Sequence, residues 1–176
     1  MIRGTAGSAL PRRGRPGPGT RRGTRPRAPL AAIALLIPAL LGAAGPSGET
    51  VPLSGNGPGE RLDVTLGQVV DPASPAPGDS ERLVSVQFHL ENTGTAVYKD
   101  SPAPAAHLLD AYGQRYAGFN ASTEAGAAFP DTVTLSPGGT ARGFVTFRLP
   151  EDAPLAAVQF ALNGGLSDDV GQWSLS

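Results

Sequence analysis

From Arg61 onward, apolar and polar residues alternate with a period of two, the spacing of a strand that buries one face. Leu62, Val64 and Leu66 alternate with Asp63, Thr65 and Gly67. Val84, Val86, Phe88 and Leu90 alternate with Ser85, Gln87, His89 and Glu91, which is the clearest strand in the chain. It ends at Asn92-Thr93-Gly94, a turn, and it is preceded by a loop at 71–80 (DPASPAPGDS), where turn formers crowd together. Residues 105–118 predict a hairpin about Asp110-Ala111-Tyr112-Gly113, with Asp first and Gly fourth as a type I turn favours. A loop rich in Ala, Ser and Gly follows at 120–130. Val133 and Leu135 lead into Ser136-Pro137-Gly138-Gly139, where Pro presets φ and Gly supplies the positive φ of a type II turn. Val145, Phe147 and Leu149 then face a core, with Arg142, Thr146 and Arg148 opposite. Val158, Phe160 and Leu162 form a further strand, and Trp173 with Leu175 the last.

Seven or eight short strands without a convincing helix predict an all-β fold, an immunoglobulin-like antiparallel β-sandwich over residues 61–176. The chain contains no cysteine, so apolar packing alone must hold the sheets together, and thiolate metal sites and cysteine nucleophiles are excluded.

The first 60 residues have a different composition. Residues 1–29 are dominated by Arg, Gly and Pro and predict a disordered leader. Residues 30–44 (LAAIALLIPALLGAA) are a nearly uninterrupted apolar run, shorter than the ~20 residues needed to span a bilayer and interrupted by Pro38. A basic stretch, a short apolar run and small residues after it are the signature of a secretion signal, with Gly42 and Ala44 placing cleavage before Gly45. An uncleaved N-terminal membrane anchor is the alternative. The pairs Arg12-Arg13 and Arg21-Arg22 lack the apolar residues that follow a twin-arginine signal. Residues 45–60 (GPSGETVPLSGNGPGE) read as a flexible linker. Charge divides the chain at the same place. All fifteen acids lie beyond residue 45, against five arginines and Lys99, so this part carries a net charge of −9 and would repel a phosphate backbone.

The residues Glu91-Asn92-Thr93-Gly94, Leu108 to Tyr116 (LLDAYGQRY), Leu135-Ser136-Pro137-Gly138-Gly139, Gly143 to Pro150 (GFVTFRLP) and Trp173-Ser174-Leu175 occur in an order that resembles the telokin-like extracellular domain of unknown function (family 4352) of actinobacteria. The resemblance spans about residues 60–176 and rests on turn and core positions. It implies an immunoglobulin-like sandwich outside the membrane, and it carries no catalytic set. Many members of the family bear a lipidated cysteine, which this chain lacks.

Candidate chemistry is sparse. His89 lies on the polar face of its strand and His107 just before the hairpin, without His-x-His or His-x-x-x-His spacing, so both read as ordinary surface or edge histidines. No Gly-x-Ser-x-Gly elbow occurs. Asp168-Asp169, Asp79 with Glu81, and Asp110 could supply calcium from several loops, but solvated loop charges and turn formation are the better explanation, Asp110 being explained by its turn. Gly138-Gly139 and Asn163-Gly164-Gly165 are turns, since neither opens a helix with a following Lys. Asn120-Ala121-Ser122 matches a glycosylation sequon by chance. Tyr98, Tyr112, Phe144 and Trp173 could line an exposed patch, with Trp173 better placed in the core. No catalytic, cofactor-binding or metal-binding residue is assigned. The expectation is an exported, non-enzymatic interaction domain with a protein or cell-envelope partner and no nucleic acid. The alternatives are a divalent-cation-dependent module and, third, an enzyme.

Overall fold

A computed structural model describes residues 48–73, 78 and 80–175. The leader, the apolar run at 30–44 and Asp79 lie outside the described residues.

Ten strands are present among the described residues. They are β1 (Thr50–Ser54), β2 (Arg61–Val70), β3 (Glu81–Asn92), β4 (Tyr98–Asp100), β5 (Ala106–Asp110), β6 (Arg115–Ala117), β7 (Val133–Leu135), β8 (Thr140–Pro150), β9 (Leu155–Ala161) and β10 (Val170–Ser174). One sheet has the order β1-β2-β3-β8 and the other β10-β9-β5-β6, while β4 and β7 pair separately. All strand pairings are antiparallel. Among the described residues, helical structure is limited to a single turn, α1 (Pro102–Ala105), and a tight turn at 162–165. The protein is therefore an antiparallel β-sandwich, as the period-two pattern predicts.

The alternating residues meet between the sheets. Phe88 of β3 stands at the centre, 5.3 Å from the ring of Phe160 and 6.0 Å from that of Trp173, in tilted and edge-on contacts. Leu62, Val64, Leu66, Val86, Leu90, Leu108, Phe147 and Val158 surround it without solvent exposure. Trp173 also donates its indole N–H to the Glu49 carbonyl at 3.0 Å, fastening β10 to the start of β1.

Two features correct the sequence reading. The presumed flexible linker at 45–60 contains β1, which pairs with β2 from Thr50↔Thr65 to Ser54↔Arg61 and buries Leu53. Pro52 is tolerated because β1 is an edge strand, where a missing N–H costs little. The folded domain thus begins before residue 61. The second correction concerns β8, whose outward residues Phe144 and Thr146 are buried, so Thr146 is not on a solvated face. The segment 119–129 pairs with the edge of β8 through Phe119↔Thr146 and Ala128↔Phe144 and folds over this part of the sheet. A Cβ at Gly126 would lie 2.7 Å from the Phe144 ring, so only glycine permits the approach. Beneath this cover Ser85 and Thr146 share a hydrogen bond of 2.9 Å, and the Thr146 hydroxyl reaches the Ala121 carbonyl at 3.2 Å.

The predicted turns form. Gly139 N–H donates to the Ser136 carbonyl with Gly138 at φ 80°, and Gly113 N–H donates to the Asp110 carbonyl. If β1 belongs to the core, Leu53→Ala lowers stability by about 2–4 kcal/mol in denaturant unfolding. A flexible linker predicts almost no change.

Candidate functional site

One end of the sandwich gathers the loops 54–61, 92–98, 135–140 and 162–169. Asn92 organises it from within. Its buried amide donates to the carbonyls of Ala96 and Leu135 (both 2.9 Å), while its Oδ1 accepts the Gly94 N–H at 3.0 Å. Nearby, the Gly59 carbonyl accepts from the N–H groups of Thr95 and Ala96, and Gly94 N–H donates to the Arg61 carbonyl.

The 162–169 loop contains three consecutive left-handed residues, Asn163 (φ 58°), Gly164 (φ 64°) and Gly165 (φ 84°). Asparagine bears this conformation at some cost, and side chains from other elements hold it in place. Asn163 Oδ1 accepts the Asn56 N–H at 2.9 Å and its amide donates to Glu60 at 3.3 Å, while Gly164 N–H donates to Asp100 at 3.0 Å. The Ser167 hydroxyl donates to the Ser54 carbonyl, and Asp169 accepts the Ser54 N–H, both at 2.8 Å. Glu60 also accepts the Gly57 N–H at 3.0 Å. Together Ser54, the glycines 55, 57 and 59, Glu60, Arg61 and Thr93–Thr95 line an open cleft of about 390 Å³. Four large apolar side chains are exposed among the described residues, and three of them, Val97, Leu166 (80 % exposed) and Val170 at the start of β10, lie at this end.

The fourth is Tyr112, at the tip of the hairpin on the opposite end. There Asp110 accepts the N–H groups of Tyr112 and Gln114 and the Tyr116 hydroxyl, each at 2.9 Å. Partial burial pushes the Asp110 carboxyl up, but these donors outweigh it and hold its pKa below the ordinary carboxylate value. Beside it, the Arg82 guanidinium pairs with Asp71 at 2.8 Å and donates to the carbonyls of Pro150, Glu151 and Ala153. The sequence gives no signal of this clamp, because it links residues far apart in the chain.

The structure separates the residues that sequence reasoning singled out. Asp168 and Asp169 lie at the cleft end, Glu81 and Asp110 at the other, and no three His, Asp or Glu side chains converge as metal ligands would among the described residues. The expectation of calcium held by several loops at one end therefore finds no assembled site there. His89 and His107 occupy different sheets and are each partly buried rather than fully exposed. Burial, and then Arg115, push the His107 pKa down. The aromatics form no exposed patch: Tyr98 and Phe144 are buried, Trp173 lies in the core as expected, and burial drives the Tyr98 phenol strongly up. The cleft-lining residues 54–61 went unnoticed because Asn-Gly-Pro-Gly at 56–59 reads as linker.

No family model matches the sequence, and no curated protein matches it as a relative. The fold is similar to the crystal structure of MPT63, a secreted protein from Mycobacterium tuberculosis. The TM-score is 0.52 at 15% identity, covering 72% of this chain and 92% of that one. The yjhA protein from Bacillus subtilis gives a TM-score of 0.48 at 14% identity, covering 74% of this chain and 98% of that one.

Asp110 supplies a pH test. Its lowered folded-state pKa stabilises the fold above the ordinary carboxylate pKa, and that contribution is lost as pH falls through the folded value. Asp110→Asn is expected to flatten the fall in urea midpoint below about pH 4 while leaving the neutral-pH fold intact. An acid limb of unchanged steepness contradicts the assignment. A proton NMR titration of His107 is expected to give a midpoint below 6.5.

Proposed function

We propose that the chain is an exported, non-enzymatic binding domain of the telokin-like extracellular type (family 4352), acting outside the cell through the cleft end of its sandwich. The observation that carries this reading is the loop end itself. Side-chain hydrogen bonds join loops 54–61 and 162–169, Asn92 ties 92–98 to Leu135, and backbone bonds join 92–98 to 54–61; this end displays Val97, Leu166 and Val170 to solvent. Binding residues concentrate on loops held by a rigid scaffold, and ordering them in advance lowers the entropic cost of association. The polar groups at and around the cleft favour binding over catalysis. Glu60, Asn163, Asp100 and Asp169 each accept backbone N–H groups, so they hold the loops in shape.

Export is supported by the basic leader and apolar run at 1–44, and by the similarity in fold to a secreted mycobacterial protein. The test is intact mass and cell fractionation after expression of the full chain in an actinobacterial host. A species in the medium starting near Gly45 is the expected result. A full-length species in the membrane fraction identifies residues 30–44 as an anchor, and retention in the cytosol overturns the proposal.

A further inference from the structure

We infer that the cleft end recognises a basic polypeptide segment, in which a Lys or Arg side chain enters the cleft beside Glu60 and an apolar neighbour covers Leu166 and Val97. This rests on the proposed binding role of that end and adds the chemistry of the partner.

Three observations lead to it. The first is charge. The cleft end carries Glu60, Asp63, Glu91, Asp100, Asp168 and Asp169, against Arg61, Lys99 and, further along the sheet, Arg142. Asp168, Asp169 and Glu91 are exposed. The described ion pairs, Arg82–Asp71 and Arg148–Glu81, both lie away from this end, so neither neutralises its carboxylates. The surface therefore attracts cations over roughly the ~10 Å Debye length of a 0.1 M salt solution.

The second is the shape and lining of the cleft. At about 390 Å³ it is open and small, with glycine walls and the hydroxyls of Ser54, Thr93 and Thr95 beside Glu60. Both described hydrogen bonds of the Glu60 carboxylate use Oε2, the Gly57 N–H and the Asn163 amide. Oε1 is the acceptor left for a partner's ammonium or guanidinium. Arg61 lines the same cleft, and its positive charge makes a single inserted cation, rather than several, the fitting occupant.

The third is the exposed apolar group. Leu166 follows the left-handed turn 163–165, whose strained backbone is held by Asn56, Glu60 and Asp100, so the loop presents Leu166 in a defined position. Val97 follows Ala96, which is fixed to the Gly59 carbonyl. Apolar side chains at a loop tip would also suit a lipid surface. The surrounding carboxylates oppose that, because they repel the anionic headgroups of bacterial membranes. Apolar residues within an acidic rim are complementary to a segment that mixes basic and apolar residues.

The test uses the purified chain and synthetic decapeptides in fluorescence anisotropy. The probes are an alternating Lys-Leu peptide, a Glu-Leu peptide and a Lys-Ser peptide, together with phosphatidylglycerol vesicles in a separate sedimentation assay. Binding of the Lys-Leu peptide is expected to exceed that of the other two by about tenfold or more and to weaken as salt rises. Leu166→Asp and Glu60→Gln are each expected to reduce it by about tenfold. The double change Glu151→Gln with Asp152→Asn, at the opposite end, is expected to leave it unaltered. Melting curves confirm that each variant is folded, and Val97→Ser provides a second, milder probe of the apolar contact.

Equal loss in the Glu151/Asp152 variant would show diffuse attraction to an acidic protein and overturn the inference. So would sedimentation with the vesicles, or indifference to Leu166→Asp, Val97→Ser and Glu60→Gln alike. The underlying reading is tested separately. If labelled protein binds intact cells whether or not Leu166 and Glu60 are changed, extracellular binding stands and the partner chemistry fails. If the chain never leaves the cytosol, the reading itself fails.

Discussion

The structure depends on the apolar layer between its sheets. Immunoglobulin-type sandwiches often bridge their sheets with a disulfide, but this chain has no cysteine. Phe88, Phe160 and Trp173 occupy the middle, and tilted aromatic contacts contribute specific geometry beyond the burial of area. Trp173 has a second role, since its indole N–H holds the Glu49 carbonyl and brings β1 against β10. The edges of both sheets are thereby drawn together on that side. On the other side the segment 119–129 pairs with β8.

With the core satisfied by packing, the two ends of the sandwich are free to differ. At one end Asp110 and Arg82 are saturated by local donors and acceptors, an arrangement that stabilises the hairpin and the 150–153 loop. At the other, carboxylates and amides hold strained and glycine-rich backbone while apolar side chains remain in solvent. The buried Asn92 side chain is fully paired, which helps to keep the loops around it in one conformation.

Much of the fold was legible because strands with one buried face impose a period of two. Val84 to Leu90 shows it most clearly, and the Asp110 and Ser136 turns follow from residue chemistry alone. β1 was hidden because Gly and Pro on both sides of Thr50–Ser54 give the composition of a linker, although Val51 and Leu53 do alternate. Phe144 and Thr146 were misplaced for a tertiary reason: what covers them is a loop more than fifteen residues away in the chain, and periodicity carries no information about it. The candidate site was the least legible part. It is built from Glu60, Asp100, Asn163 and Asp169, which come together only after β1, β4, β9 and β10 are in place. The similarity to MPT63, at 15% identity, is one of fold, and fold alone does not define function.

The central claim is that the cleft end is a preorganised surface carried on the core. Native-state amide hydrogen exchange of Ser54, Asn56, Gly57 and Gly164 tests it most directly, because each donates to a side chain from this end. Slow exchange at these amides, retarded at least about a hundredfold relative to unstructured peptide, is predicted. Exchange at the unstructured rate would mean that the loops are not held and would contradict the claim.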